Sequence, residues 1–519
     1  MKNANILKGM IVGLAAALMT ATAIAGPVRG GVANVVVQPE PPGLMLGVIQ
    51  NGPTQMVSGN IYESLLKYDE NLNSVPNLAT AWTISDDGLV YTFDIKKEVT
   101  WHDGAPFTAH DVVFTADVFL RETHPRFRVA MERVDTVKAL DDFTVEFTLS
   151  APFGPFLGMF ETGTMPLVPK HIYEGTDFRN NPANNTPVGT GPFKFEAWEK
   201  GSNIHLVRNE DYHVEGLPYL DEMYWHVIPD AAARAVAFET GQVDVLPGGS
   251  VEAFDVPRLI AMDNVCSTEK GWEFFAPHSK LEINTRSGPM SDVRFRQAVM
   301  YAMDREFYRE VIWNGFGTVA NGPIGSRTRF HDASLPEYTQ DKDKARALLK
   351  EMGYDGAPVR LLALPYGETW QRWAEAVRQH LKDVGINVEL TTTDVAGWGQ
   401  KIGDWDFDLA FNYLYQYGDP ALGVARLYVS TNIAKGSPWN NVSGYENPEV
   451  DRLFEEASVA FRKENRQALY SKVQNTLVED VPYAWLLELE FPTIYRCNVK
   501  NLVTTAIGVN DGFADAWIE

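Results

Sequence analysis

Cysteine is nearly absent: only Cys266 and Cys497 occur in 519 residues. That excludes a disulfide-built scaffold and a cysteine knuckle for zinc. In an oxidising compartment such a pair either closes one bridge or stays as two buried thiols, and the sequence leaves both open. Basic charge is also short. Against 68 acidic residues there are 45 Lys and Arg, for a net charge of −23. A chain this acidic is repelled by nucleic acid and anionic membranes, so nucleic acid is not an expected partner. Long apolar runs are missing beyond Met10 to Ala25 (MIVGLAAALMTATAIA), which is too short for a comfortable span of about 20 residues. There are no internal repeats, low-complexity tracts or charge blocks. The G-x-S-x-G elbow, the H-E-x-x-H helix and the P-loop are all absent.

What is present begins with an export signal. Lys2 and Lys8 precede the apolar run, and Ala23-Ile24-Ala25 supplies the small-x-small pattern of a signal-peptidase site. Residues 1–25 therefore read as a signal peptide cleaved before Gly26. No cysteine follows to take a lipid. The remaining length exceeds what one core supports, so two or more domains are expected.

Short β-branched or aromatic runs alternate with longer helical patterns, which gives an α/β class. Asn34 to Val37 (NVVV) reads as a buried strand ended by PEPPG, and Leu89 to Ile95 as a half-buried one. Thr108 is placed to cap a helix running through DVVFTADVFLRE. Val293 to Tyr308 reads as one helix, and Thr369 to Val384 as another with Gly385 at its C′ position. Asp404 to Phe411 (DWDFDLAF) alternates like an exposed-then-buried strand and leads into Tyr413–Pro420, YLYQYGDP.

Catalytic candidates are thin. His102 and His110 sit beside Asp103-Gly104 and Asp111 in what reads as turn and helix-start chemistry rather than a metal site. Asp404 and Asp406 would share one side of a strand and imitate a glycosidase pair, yet solvent-facing strand acids are far commoner. Aromatics are abundant at 12%. Trp370, Trp373, Trp398, Trp405, Tyr413, Tyr415, Tyr417 and Trp439 crowd one region. Most must be core, but Trp and Tyr also line pockets while keeping a polar handle. Residue chemistry alone leaves an exported α/β protein that binds or catalyses. A hydrolase acting on peptides or glycosides is the alternative to a binding protein.

Four blocks narrow this: LATAWTISDDGLVYTFDIKKEVTWHDGAPFTAHDVVF (78–114), PVGTGPFKFEAWEKGSNIHLVRNEDYH (187–213), IPDAAARAVAFETGQVDV (228–245) and NTRSGPMSDVRFRQAVMYAMDRE (284–306). In order and spacing they resemble solute-binding protein family 5, the periplasmic binding proteins of dipeptide, oligopeptide and nickel ABC importers. The resemblance implies a two-lobed periplasmic binding protein fold of three domains around a hinged cleft. Domain I would comprise 26–63, 187–268 and 490–519, domain II 64–186, and domain III 269–489. Gly189-Thr190-Gly191-Pro192 would carry the chain between domains, and Asp304-Arg305 would close a helix face with paired charge.

It also implies a non-enzymatic monomer, without cofactor or metal. Such a protein captures a small organic ligand by cleft closure and delivers it to an inner-membrane ABC permease and its ATPases. The ligand would be a peptide, or an opine, sugar or amino-acid conjugate. In peptide-binding relatives an aspartate at the position of Gln416 pairs with the ligand's α-amino group. Gln416 offers an amide instead, suited to neutral groups. On that basis Gln416→Asp is expected to improve binding of unblocked peptides. Asp419 is a second source of charge, although before Pro420 it suits a turn. Trp398 matches a pocket tryptophan, and Arg372 lies near an arginine that binds a carboxylate. Tyr413, Leu414, Tyr415 and Tyr417 are expected to border the ligand. Gly43, Leu44 and Met45 are expected to face it from the opposing lobe.

Overall fold

The computed structural model describes residues 26–286 and 288–519. The signal peptide expected at 1–25 lies outside the described residues. Three larger sheets, of seven, six and four strands, organise the chain beside two two-stranded ones. The Asn34–Val37 run falls inside the strand Val32–Val37, which pairs in parallel with Glu222–Val227 on one side and with Val245–Leu246 on the other. Flanked by parallel neighbours, its side chains are covered on both faces, and Val35, Val36 and Val37 are fully buried. This is the middle of a seven-stranded sheet. Its order is Val265–Thr268, Thr493–Arg496, Val245–Leu246, Val32–Val37, Glu222–Val227, Asn203–Arg208 and Phe193–Glu199.

The chain leaves this sheet twice. After Val37 it builds a four-stranded antiparallel sheet that holds Val90–Ile95, then returns through Gly189–Pro192. A Cβ on Gly189 would lie 1.8 Å from the Ile61 carbonyl oxygen, so only glycine lets the returning chain pass. His102 ties that return down, accepting from Gly189 N at 3.3 Å and meeting Gly191 O at 2.9 Å. Burial lowers its pKa to about 4. It serves a structural role as a neutral ring.

After Thr268 the chain builds a six-stranded mixed sheet and returns at Thr493. Cys266 and Cys497 form a disulfide, 5.0 Å between Cα atoms and 231 residues apart in sequence. It joins the antiparallel strands that carry the chain out and back. One hydrophobic cluster runs through the seven- and four-stranded sheets and a second fills the six-stranded part, so the three sheets make two lobes.

Local signals hold in several places. Asp111 accepts from the Thr108 backbone N–H at 2.9 Å, closing the expected helix start. The helix Glu368–Asp383 ends with Gly385 at φ 98°. Two expectations need correction. The helix expected over 293–308 stops at Ala302, because Met303 turns extended and Asp304 caps a new short helix, Arg305–Phe307. Arg305 is buried there and donates to the carbonyls of Ala320 and Tyr338, so Asp304-Arg305 does not pair charge on a helix face. Asp404 ends the helix Val395–Asp404, Trp405 is left-handed at φ 64°, and the strand begins only at Leu409. Asp406 is bound by Arg360 and Lys401, which removes the glycosidase-like pair.

Candidate functional site

The strand Leu409–Leu414 runs antiparallel to His278–Ile283, with Tyr413 opposite Ser279 and Leu414 opposite His278. Gln416 N donates to Phe275 O at 2.7 Å and carries the extended chain past the strand's end. Strand alternation then sorts the side chains. Tyr413 and Tyr415 project toward the junction of the lobes. Tyr413 stacks on Trp370 at 5.4 Å and 16°, and its ring lies 6.0 Å from Phe491. Tyr415 packs on Phe275 at 5.1 Å. Both tyrosines are half-buried and surrounded by protein, and burial pushes the Tyr413 hydroxyl up to about 12. They act as neutral phenols with apolar faces.

Gln416 points the other way. Its Nε2 donates to Pro323 O at 3.0 Å and its Oε1 accepts from Gly325 N at 2.9 Å. The amide is consumed as an internal clamp, at 4% exposure, and does not face the junction as the sequence reading expected. Asp419 is likewise spent. It forms a two-pronged pair with Arg466 at 2.7 and 2.8 Å and caps the turn Pro420–Gly423 through Ala421 N. Between them Tyr417 (φ 52°) and Gly418 (φ 67°) are both left-handed. That bend puts the Tyr417 ring between two arginines, 4.2 Å from the guanidinium carbon of Arg126 and 5.7 Å from that of Arg426.

A cavity of about 120 Å³ opens beside this wall. Arg234 and Glu252 border it from the seven-stranded lobe, and Trp313, Tyr366 and Trp370 from the six-stranded lobe. Phe491, on the returning chain, closes its side. Glu252 also bridges the lobes. Its carboxylate accepts from Thr369 Oγ1 at 2.8 Å and from the first backbone N–H groups of the helix Glu368–Asp383, where the helix dipole favours an anion.

Other expected residues lie elsewhere. Arg372 is exposed on the outer face of the same helix, whose inner face buries Trp370 and Trp373. Trp398 is 1% exposed and packs on Trp439 inside the six-stranded lobe. Leu44 and Met45 are fully buried in the first lobe's core, Leu44 N donates to Asn184 O, and Gly43 is packed against Ile49. Of the sequence candidates, Tyr413, Tyr415 and Tyr417 meet at the junction, with half-buried Leu414 between the first two in sequence. Trp370, Tyr366, Phe491, Glu252, Arg126 and Arg426 join them. Only Trp370 had a sequence signal, as part of the aromatic crowding. Among the described residues no group of three His, Cys, Asp or Glu side chains is placed to hold a metal ion.

Comparison with known proteins places the chain in a family. The family model of bacterial extracellular solute-binding proteins, family 5 (middle region), matches residues 73–435. The oligopeptide-binding protein AppA of Bacillus subtilis is 29% identical over 478 residues, covering 86% of this chain and 83% of that protein. The glutathione-binding protein of Pectobacterium atrosepticum is 27% identical over 451 residues, covering 83% of this chain and 84% of that protein. Among solved structures, the periplasmic binding protein DppA of Helicobacter pylori in complex with the peptide STSA superposes with a TM-score of 0.81 at 26% identity. That match covers 95% of this chain and 99% of that one.

Proposed function

The chain belongs to the bacterial extracellular solute-binding proteins of family 5, and from that premise we propose that it is a monomeric, signal-exported capture protein for a peptide-sized organic solute. It is a binding protein of an ABC importer and not an enzyme. The relatives carry binding names, and neither they nor the site favour an exported hydrolase. The observation that carries the site assignment is the aromatic wall of Tyr413, Tyr415 and Trp370 at the junction of the two lobes. Rings presented there bury an organic ligand's surface from one lobe while the other lobe closes over it.

The reading divides the chain into domain I (26–63, 187–268, 490–519), domain II (64–186) and domain III (269–489), with Phe491, just past the last of these boundaries, 6.0 Å from Tyr413 of the wall. Ligand contacts to both lobes favour the closed form by differential affinity, and an inner-membrane permease then reads that form. Glu252, accepting at the start of the Glu368–Asp383 helix, and Arg133, paired with Glu455 at 2.9 Å, are contacts that join the two lobes. Calorimetric titration of ligand-stripped protein with short peptides and with glutathione tests the reading. Binding without turnover supports it, and hydrolysis of either contradicts it.

A further inference from the structure

We infer that a latch joins the lobes beside the four-stranded sheet and holds a share of the solute-free protein closed, with Gly154 and Arg133 of the first lobe capping the end of the helix Pro448–Val459 in the second. This goes beyond solute capture and takes from it only that the lobes part. The helix ends without a device of its own. Ala460 at its C-cap is extended, no glycine follows, and its last turn carries no basic residue. Its last carbonyls therefore need partners from elsewhere. Glu456 O accepts from Ala460 N at 3.0 Å, and Ala457 O from Arg466 Nε at 2.9 Å. Ser458 O accepts from Gly154 N at 2.9 Å, in the loop after the strand Thr144–Leu149 of the four-stranded sheet. Arg133 adds the missing cation. Its Nη2 donates to both Glu455 carboxylate oxygens, at 3.1 and 2.9 Å, and to Ser458 Oγ at 3.4 Å. The helix dipole favours positive charge at that end.

Close packing makes the contact specific. A Cβ on Gly154 would lie 3.1 Å from Ala460 O and 3.1 Å from Arg466 Nε, both in the second lobe. Neither can retreat. The first is main chain, and Arg466 is held by Asp419 at 2.7 and 2.8 Å as well as by Ala457 O. Gly154 is not left-handed, so a side chain there strains nothing within its own lobe. Phe461, 55% exposed, extends the contact over Gly88, where a Cβ would stand 3.2 Å from its ring. None of these residues borders the cavity beside the aromatic wall, so the contact needs no solute. Parting the lobes breaks it and returns Ser458 O, Glu455 and Arg133 to water. A contact made only when the lobes are joined raises the population of that form. Solute affinity rises with it, because the measured dissociation constant is the intrinsic one divided by the competent fraction.

The test needs no solute either. Both native cysteines are held in the disulfide, so thiols added at Leu140 and Val395, 55% and 52% exposed on opposite lobes, alone take spin labels. The labels are attached first, and the protein is then stripped by unfolding and refolding without reductant. Pulsed dipolar spectroscopy reads the ratio of joined to parted molecules. A joined population is expected in the labelled protein that keeps Gly154 and Arg133. Gly154→Ala, which loses the bond to Ser458 and gains a clash, is expected to lower the ratio about 10-fold. Arg133→Gln breaks a pair whose side chains are 27% and 62% exposed, and is expected to lower it about 2- to 5-fold. It carries the test alone if Gly154→Ala fails to fold by circular dichroism. Absence of the joined population from the stripped protein, or a ratio unchanged in both variants, overturns the inference. Either failure leaves the solute-binding reading intact, since that stands or falls by titration with peptides and glutathione.

Discussion

Replacing Asp419 with alanine separates a structural role from a ligand-reading one. In the folded protein the Asp419 carboxylate and the Arg466 guanidinium are 4% and 6% exposed and share two hydrogen bonds. Arg466 is otherwise fixed by Ala457 O at 2.9 Å and by the Phe330 ring at 4.6 Å, so it cannot swing out to water when its partner is lost. Removing one side of such a buried pair costs about 3–5 kcal/mol, because the remaining charge stays desolvated. Loss of the cap on Ala421 N adds about 1 kcal/mol. Urea unfolding of the stripped protein, followed by tryptophan fluorescence, is therefore expected to show a loss of about 4–6 kcal/mol in the six-stranded lobe. Adding Arg466→Met to Asp419→Ala is expected to recover part of that loss, since no unpaired charge then remains. A variant as stable as wild type that binds ligand more than tenfold more weakly would refute the reasoning and return Asp419 to the ligand.

Two further predictions follow from buried groups. Gln416→Asp removes the donor to Pro323 O and sets a carboxylate against that carbonyl. It is expected to cost about 1–3 kcal/mol and, contrary to the expectation from family position, to give no gain for free-amine peptides in titration calorimetry. Asp511 is half-buried, its Oδ2 is shut from solvent without a partner, and desolvation raises its pKa from 3.8 to about 7. With the folded value raised, the unfolded chain gives up this proton first. The penalty on folding is therefore absent below pH 3.8, grows as pH rises to about 7, and is constant above. Its ceiling is about 4 kcal/mol. Asp511→Asn is expected to melt like wild type at pH 4 and higher than wild type at pH 8, and equal melting at both would contradict this.

Legibility in the sequence followed the range of the interaction. NVVV, the Thr108 cap and Gly385 are local devices, and each does in the fold what its neighbours in sequence imply. The 293–308 helix misled because its apolar spacing continues across the break. The break is set by Arg305, which needs carbonyls at Ala320 and Tyr338 from outside that segment. At the site, the sequence reading set Tyr413 through Tyr417 together at the ligand, whereas the strand's alternation puts Tyr413 and Tyr415 on one face. Alternation also hid Gln416 on the far face, where Pro323 and Gly325 take its amide. Arg126 had no local signal, because it meets Tyr417 only across the junction, from a segment far away in sequence. The family position of Trp398 is filled by a core residue packed on Trp439, and Arg372 rides the exposed side of a helix whose other side builds the wall.

The central claim is capture by closure of two lobes on an organic solute. Small-angle X-ray scattering of the same preparation, stripped and then reloaded with its retained ligand, tests it most directly. The account predicts a smaller radius of gyration on reloading, with the ligand recovered unchanged. Identical scattering in the two states, or a ligand recovered as cleaved products, would contradict it.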